Sequence, residues 1–211
     1  MMIVRSLFLA GFAFALTACS ILPEAEPVQI YLLPQSTVQA AGGARIQQSL
    51  RIARPQASMI LDNARIAVQP EGSQINSYKG ARWGDAAPAL LRERLVEAFR
   101  ADGRFAAVSS DEQHLQVDLD LLGHLAAFQT EYRGGRAEVV IRYDAHLASA
   151  GSQRILASRR FEVRQAPADT QIQAVVEAFG QASDQLARQL IDWSAGQAGD
   201  LARQRPDTVA R

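Results

Sequence analysis

A single cysteine, Cys19, stands in the whole chain, so no internal disulfide can form and the fold must rest on packing. Lysine is equally scarce: Lys79 is the only one, and arginine supplies the remaining positive charge. Basic and acidic residues balance at 22 each. Without an excess of cations the chain lacks the electrostatic footprint of a nucleic-acid binder, so no nucleic-acid partner is expected. The three histidines, His114, His124 and His146, fall into no HExxH or other compact ligand spacing. They read as surface residues, and neither a metal site nor a cofactor is expected. Asp118 and Asp120 share one strand parity, as paired catalytic carboxylates would, but a solvated outer face explains them more simply. No GxSxG, phosphate-binding loop or glycine-rich dinucleotide fingerprint occurs, and the expectation is a chain that is not an enzyme.

The apolar run near the start is short. Met1 to Arg5 carries one side-chain charge, positive, and Leu7 to Leu16 follows as an uncharged apolar stretch. A bilayer-spanning helix needs about 20 such residues. A basic start, an apolar run of about 7–15 residues and small residues at the cut make an export signal instead. Leu16-Thr17-Ala18-Cys19 has the form of a lipobox, in which the thiol of Cys19 accepts a diacylglyceryl group and the chain is cut just before it. The freed amino group is then acylated as well, with palmitate as the expected chain type. Stable anchoring needs two or more chains, since each buried CH₂ contributes only about 0.8 kcal/mol. Ser20, in place of an aspartate, points to the periplasmic leaflet of the outer membrane.

The organisation that follows is a signal over 1–18, a lipidated tether over 19–28 with Pro23 and Pro27, a domain over 29–195, and a disordered tail over 196–211. Gln29–Leu33 reads as a short strand stopped by Pro34, Leu50–Ile52 as another stopped by Pro55, and Arg65–Gln69 as a third ending in a turn at Pro70–Gly72. A further short strand is expected at Ile75–Tyr78. A helix opens near Asp85, a candidate N-cap, with Pro88 in its first turn and Gly103 at its end. Phe105–Val108 forms a strand. Three longer alternating segments follow, at Leu115–Leu121, Val139–Leu147 and Arg154–Gln165, the last with a bulge expected at Arg159-Arg160. A second helix over about Thr170–Ser194 carries Ile172, Val175, Val176, Phe179, Ala182, Leu186, Leu190 and Trp193 on one stripe. The fold class is α+β: a single two-layer domain, a mainly antiparallel sheet covered on one face by two helices.

Several local strings occur in a telling order behind the lipobox. They are Tyr31-Leu32-Leu33-Pro34, then Ser77-Tyr78-Lys79-Gly80-Ala81-Arg82-Trp83, then Pro88-Ala89-Leu90-Leu91, Leu95-Val96 and Gly103-Arg104-Phe105-Ala106-Ala107-Val108. Over about 29–195 the chain resembles the ABC-type transport auxiliary lipoprotein family, the PqiC-like components of intermembrane lipid transport systems. The resemblance implies a non-catalytic outer-membrane lipoprotein that works with an MCE-domain periplasmic protein and through it an ABC permease and ATPase. It also implies homo-oligomers, and it leaves ATP hydrolysis to another subunit. A periplasm-facing lipid carrier or an envelope hydrolase is the alternative. Tyr31, Tyr78 and Trp83 are the candidate partner-binding residues, since tyrosine and tryptophan are enriched in binding hot spots. The competing reading of Tyr78 and Trp83 is that they seal the helix start against the sheet.

Overall fold

The computed structural model describes residues 27–40 and 42–204, so the signal, Cys19 and most of the tether lie outside the described residues. The strands are β1 (Gln29–Tyr31), β2 (Ile46–Ile52), β3 (Gln56–Ala57), β4 (Arg65–Glu71), β5 (Gln74–Trp83), β6 (Phe105–Ser110), β7 (Leu119–Arg133), β8 (Arg136–Ser149) and β9 (Ile155–Gln165). The helices are α1 (Ala87–Asp102) and α2 (Ile172–Gln204), with a 3₁₀ turn at Asp111–Gln113.

β7 organises the sheet. Along one edge it pairs with β8 over its whole length, and β8 pairs with β9. Its other edge is shared in succession by β2, β3 and β4, all parallel to it. The sheet therefore forks: β2 continues to β6, and β4 continues through β5 to β1. Among the described residues five of the eight pairings are parallel, so the sheet is mixed rather than mainly antiparallel. The long alternating strands β7, β8 and β9 are antiparallel as expected. The parallel pairings come from β1–β4, whose direction alternation does not report, since it shows only which face is wet.

One core joins both helices to the sheet. β8 presents Val139, Ile141, Tyr143, Ala145 and Leu147 inward, all fully buried, each fixed by the period of two. Against them lies the stripe of α2 from Val175 through Phe179, Ala182 and Leu186 to Leu190. Trp193 meets Phe161 of β9 at 5.7 Å between ring centroids. α1 adds Leu91, Leu95, Ala98 and Phe99, with Phe99 against Phe105 at 6.0 Å. Each buried Val, Leu, Ile or Phe among them contributes about 1.5–3 kcal/mol on leaving water. Gly123 is required on β7 because a Cβ there would stand 2.3 Å from the Tyr143 ring, which lies across it.

Other boundaries move for local reasons. Asp85 is one residue too early: Ala86 takes the N-cap position, and Asp85 Oδ1 accepts a hydrogen bond from its amide at 2.6 Å. Gly103 closes α1 in the left-handed conformation, at φ 73°. α2 runs on through 196–204, where a tail was expected, because Ser194 and Ala198 continue the buried stripe past Gly196. β7 starts at Leu119, not Leu115, and extends to Arg133. β4 passes through Pro70, leaving the turn to Gly72. The bulge in β9 falls at Leu156, between the pairs Leu147–Ala157 and Ala148–Ile155, and the register is unbroken at Arg159-Arg160. Arg159 instead takes an inward parity at the sheet edge, its guanidinium 4.9 Å from the Phe161 ring centre.

Leu186→Asp is expected to abolish cooperative folding, because an unpaired buried charge costs several kcal/mol against a whole-domain stability of about 5–15. Asp118→Asn is expected to melt like the parent: the side chain is exposed and its bonds to Ser49 can be kept by an amide oxygen. Circular-dichroism melts of both variants check the assignment of the packed face.

Candidate partner-contact surface

The three aromatic candidates converge on neighbouring strands but not on one surface. Tyr31 on β1 is in register with Trp83 at the end of β5. The Trp83 amide donates to Ala64 O at 2.7 Å, and the side chain lies on the buried parity of β5 with Ala81. Its ring is 1 % exposed and meets Phe179 of α2 edge-on at 5.2 Å and Phe128 of β7 at 6.1 Å. Trp83 is therefore a packing residue that joins β5, β7 and α2, and it offers a partner no side-chain surface. Tyr78 is half-buried and its hydroxyl finds no hydrogen-bond partner among the described residues. Burial, chiefly, pushes that phenol up to about 12, so it stays protonated. Tyr31 is half-buried against the core, with its hydroxyl donating to Gln29 Oε1 at 2.5 Å. What remains open here, among the described residues, is the edge of β1, bonded to β5 on one side only.

The segment after β1 is bound down along α2. Pro34 lies on Gly180, where a Cβ would come within 3.0 Å of the proline ring. One turn further, the Asp184 carboxylate accepts hydrogen bonds from Ser36 Oγ at 2.8 Å and from the Thr37 amide and Oγ1, both at 2.8 Å. It also takes Arg94 Nη1 of α1 at 3.2 Å, and both charged side chains are almost fully buried. Another turn on, Arg188 donates to Thr37 Oγ1 at 3.2 Å. Val38 then enters the core. Glycine, aspartate and arginine at four-residue intervals thus hold a strap across the helix, an arrangement that sequence reasoning missed. The only signal was the spacing of Gly180, Asp184 and Arg188, which imitates a solvated face.

The expected outer face is only partly wet. Asp120, expected in water, is buried and paired with Arg51 at 2.7 Å, because β2 lies alongside it. Over β7, β8 and β9, Arg142 and Arg164 bind Glu162, and Arg164 also binds Glu131 and Glu138. Arg142, with Arg164, holds the Glu162 carboxyl below its ordinary value, and Arg160 does the same for Asp144. The histidines lie apart: His114 ends the 3₁₀ turn, His124 is exposed on β7, and His146 Nδ1 sits 2.7 Å from Ser158 Oγ. Among the described residues no group of three metal-binding side chains comes together, and no helix is long and apolar enough to cross a membrane. Two open clefts of about 480 and 490 Å³ share Gln48 near the start of β7, one lined by Asp118 and Arg154, the other by Ile46, Ala195 and Gly199.

Residues 31–191 match the ABC-type transport auxiliary lipoprotein component. The chain belongs to that family. Auxiliary lipoproteins of this kind are membrane-associated through a lipid anchor, in accord with the lipobox ahead of the matched span. A crystal structure of a Xanthomonas campestris protein of the DUF330 family superposes with a TM-score of 0.77 at 28 % identity, covering 83 % of this chain and all of that one. A hypothetical protein of Chlamydia trachomatis shares the fold at a TM-score of 0.50 and 7 % identity, over 72 % of this chain and 98 % of its own. An uncharacterized protein of Bradyrhizobium diazoefficiens is 26 % identical over 170 residues, which are 80 % of this auxiliary lipoprotein. The chain spans about half, 46 %, of that relative's length.

Trp83→Ala is expected to lower stability by about 3–5 kcal/mol, the usual cost of emptying a buried aromatic site. Tyr78→Phe should change it by less than about 1 kcal/mol, since the lost hydroxyl has no partner. Urea unfolding of both variants separates the residue whose ring fills the core from the one whose hydroxyl is buried without a partner.

Proposed function

We propose that this auxiliary lipoprotein is the non-catalytic adaptor of an MCE-type intermembrane lipid transport system. Acylated at Cys19, it sits on the periplasmic face of the outer membrane and docks an MCE-domain periplasmic protein, and through that protein an ABC permease and ATPase. The observation that carries this reading is the family match from residue 31 onward, placed directly behind a lipobox. An anchor beside a domain bound down within a dozen residues is what a docking platform requires. Homo-oligomers belong to the same reading.

The contact is assigned to the open edge of β1 together with Tyr78. An extended partner segment added to a sheet edge gains main-chain hydrogen bonds without any prepared pocket. Trp83 supports this edge from beneath rather than touching the partner. The clefts at Gln48 are open and lined by mixed polar and apolar groups, a poorer fit to a lipid carrier than an enclosed apolar cavity would be.

Affinity capture of the tagged, acylated protein from cross-linked envelopes is expected to recover an MCE-domain protein, and the purified protein should show no esterase turnover. Recovery of lipid-metabolising enzymes alone, or hydrolysis by the pure protein, would overturn the adaptor reading.

A further inference from the structure

Ile30 and Leu32 are 57 % and 69 % exposed, and Val28 beside them is 55 % exposed. Alternation along extended chain places the three on one side. Gln29 and Tyr31 share a hydrogen bond on the other, and Leu33 packs with Tyr31 against the core. The outward pair lies flat because Gly84 has no side chain: a Cβ there would stand 2.7 Å from Leu32 Cδ2 and 3.8 Å from Ile30 Cγ2.

The same face continues as positive charge. Ile30 is in register with Arg82 on β5, and Arg82 with Arg65 on β4. Both arginines are exposed, and neither has an ion pair among the described residues. Like charges directly opposite one another on neighbouring strands repel, and an anion between them relieves the repulsion. Elsewhere on the sheet Arg142, Arg160 and Arg164 are matched to carboxylates, whereas Arg65 and Arg82 stand opposite each other with none among the described residues.

Position along the chain identifies the occupant. Val28 follows the lipidation site Cys19 by nine residues, a reach of about 30 Å at full extension. Glu24 and Glu26 lie in that stretch, so attraction to an anionic surface must come from the domain's own arginines. Resting on the reading that Cys19 anchors the protein, we propose that the face formed by Val28, Ile30, Leu32, Arg65 and Arg82 lies on the bilayer. The aliphatic side chains enter the headgroup layer, and the two guanidiniums bind phosphates of anionic phospholipid. The domain is then held in a defined orientation by lipid at two places, with the edge amides of β1 held at the membrane surface.

Because Cys19 is the sole native cysteine and is acylated in this reading, Leu32→Cys provides a unique site for an environment-sensitive fluorophore. The acylated protein is incorporated into vesicles of phosphatidylethanolamine and phosphatidylglycerol, with and without a quencher on the lipid chains, and vesicle flotation is measured alongside. The label at Leu32→Cys, and one at Val28→Cys, should be blue-shifted and quenched. A label at Gln185→Cys, on an exposed position of α2, should not be. Arg65→Gln with Arg82→Gln should lower the docked-to-undocked ratio by about tenfold or more. A protein that floats with the vesicles but leaves the Leu32→Cys label unquenched overturns the docking face while the anchor stands. One that does not float overturns the anchor and this proposal with it. Self-quenching between labels without lipid quenching would assign the face to a second copy of the chain and also overturn it.

Discussion

Four donors from two distant parts of the chain, the strap at Ser36-Thr37 and Arg94 of α1, converge on the carboxylate of Asp184, which is almost withdrawn from water. Forming a buried ion pair gains little net stability, because desolvation offsets most of the attraction. Losing one partner is another matter: the charge left behind costs about 3–5 kcal/mol. Arg94 on α1 and Asp184 on α2 therefore depend on each other, and the carboxylate depends on Ser36 and Thr37 to complete its bonding. The helices cannot be packed with these charges satisfied unless the N-terminal strap is in place. A segment that looks like the end of a tether is thus part of the fold.

That constraint bears on function. A protein anchored through its N-terminus transmits any pull on the partner back to the first bonded residue of the chain. Here β1 has three residues paired to one neighbour and would fray alone. The strap over Gly180, Asp184 and Arg188 takes up the load just behind it and passes it to the longest helix, whose stripe fills the core. β1 can then leave its outer edge open without endangering the fold, and an open edge is what docking of an extended segment requires.

Much of this was legible in the sequence. The inward positions of β8 and the stripe of α2 follow from apolar periodicity alone, because burial selects residues by face. The ends of α1 follow from Pro88 and Gly103, whose backbone preferences act locally. Three things were not legible. The direction of β2 and β4 beside β7 is set by non-local pairing, on which alternation is silent. Asp120, Asp184 and Arg94 look solvated because a charge buried with its partner is written in the same letters as one in water. For Trp83 packing is the favoured reading over contact, and only its neighbours Phe128 and Phe179, distant in sequence, decide between them.

The most direct test of the strap is hydrogen exchange at the Thr37 amide, which donates to Asp184 Oδ2 at 2.8 Å. If the strap is integral to the fold, that amide exchanges only with the slowest group of α2 amides, through global unfolding, and shows the same opening free energy. Exchange of Thr37 at the rate of an unstructured peptide, while α2 stays protected, would show that the segment is a loose tether and contradict the account.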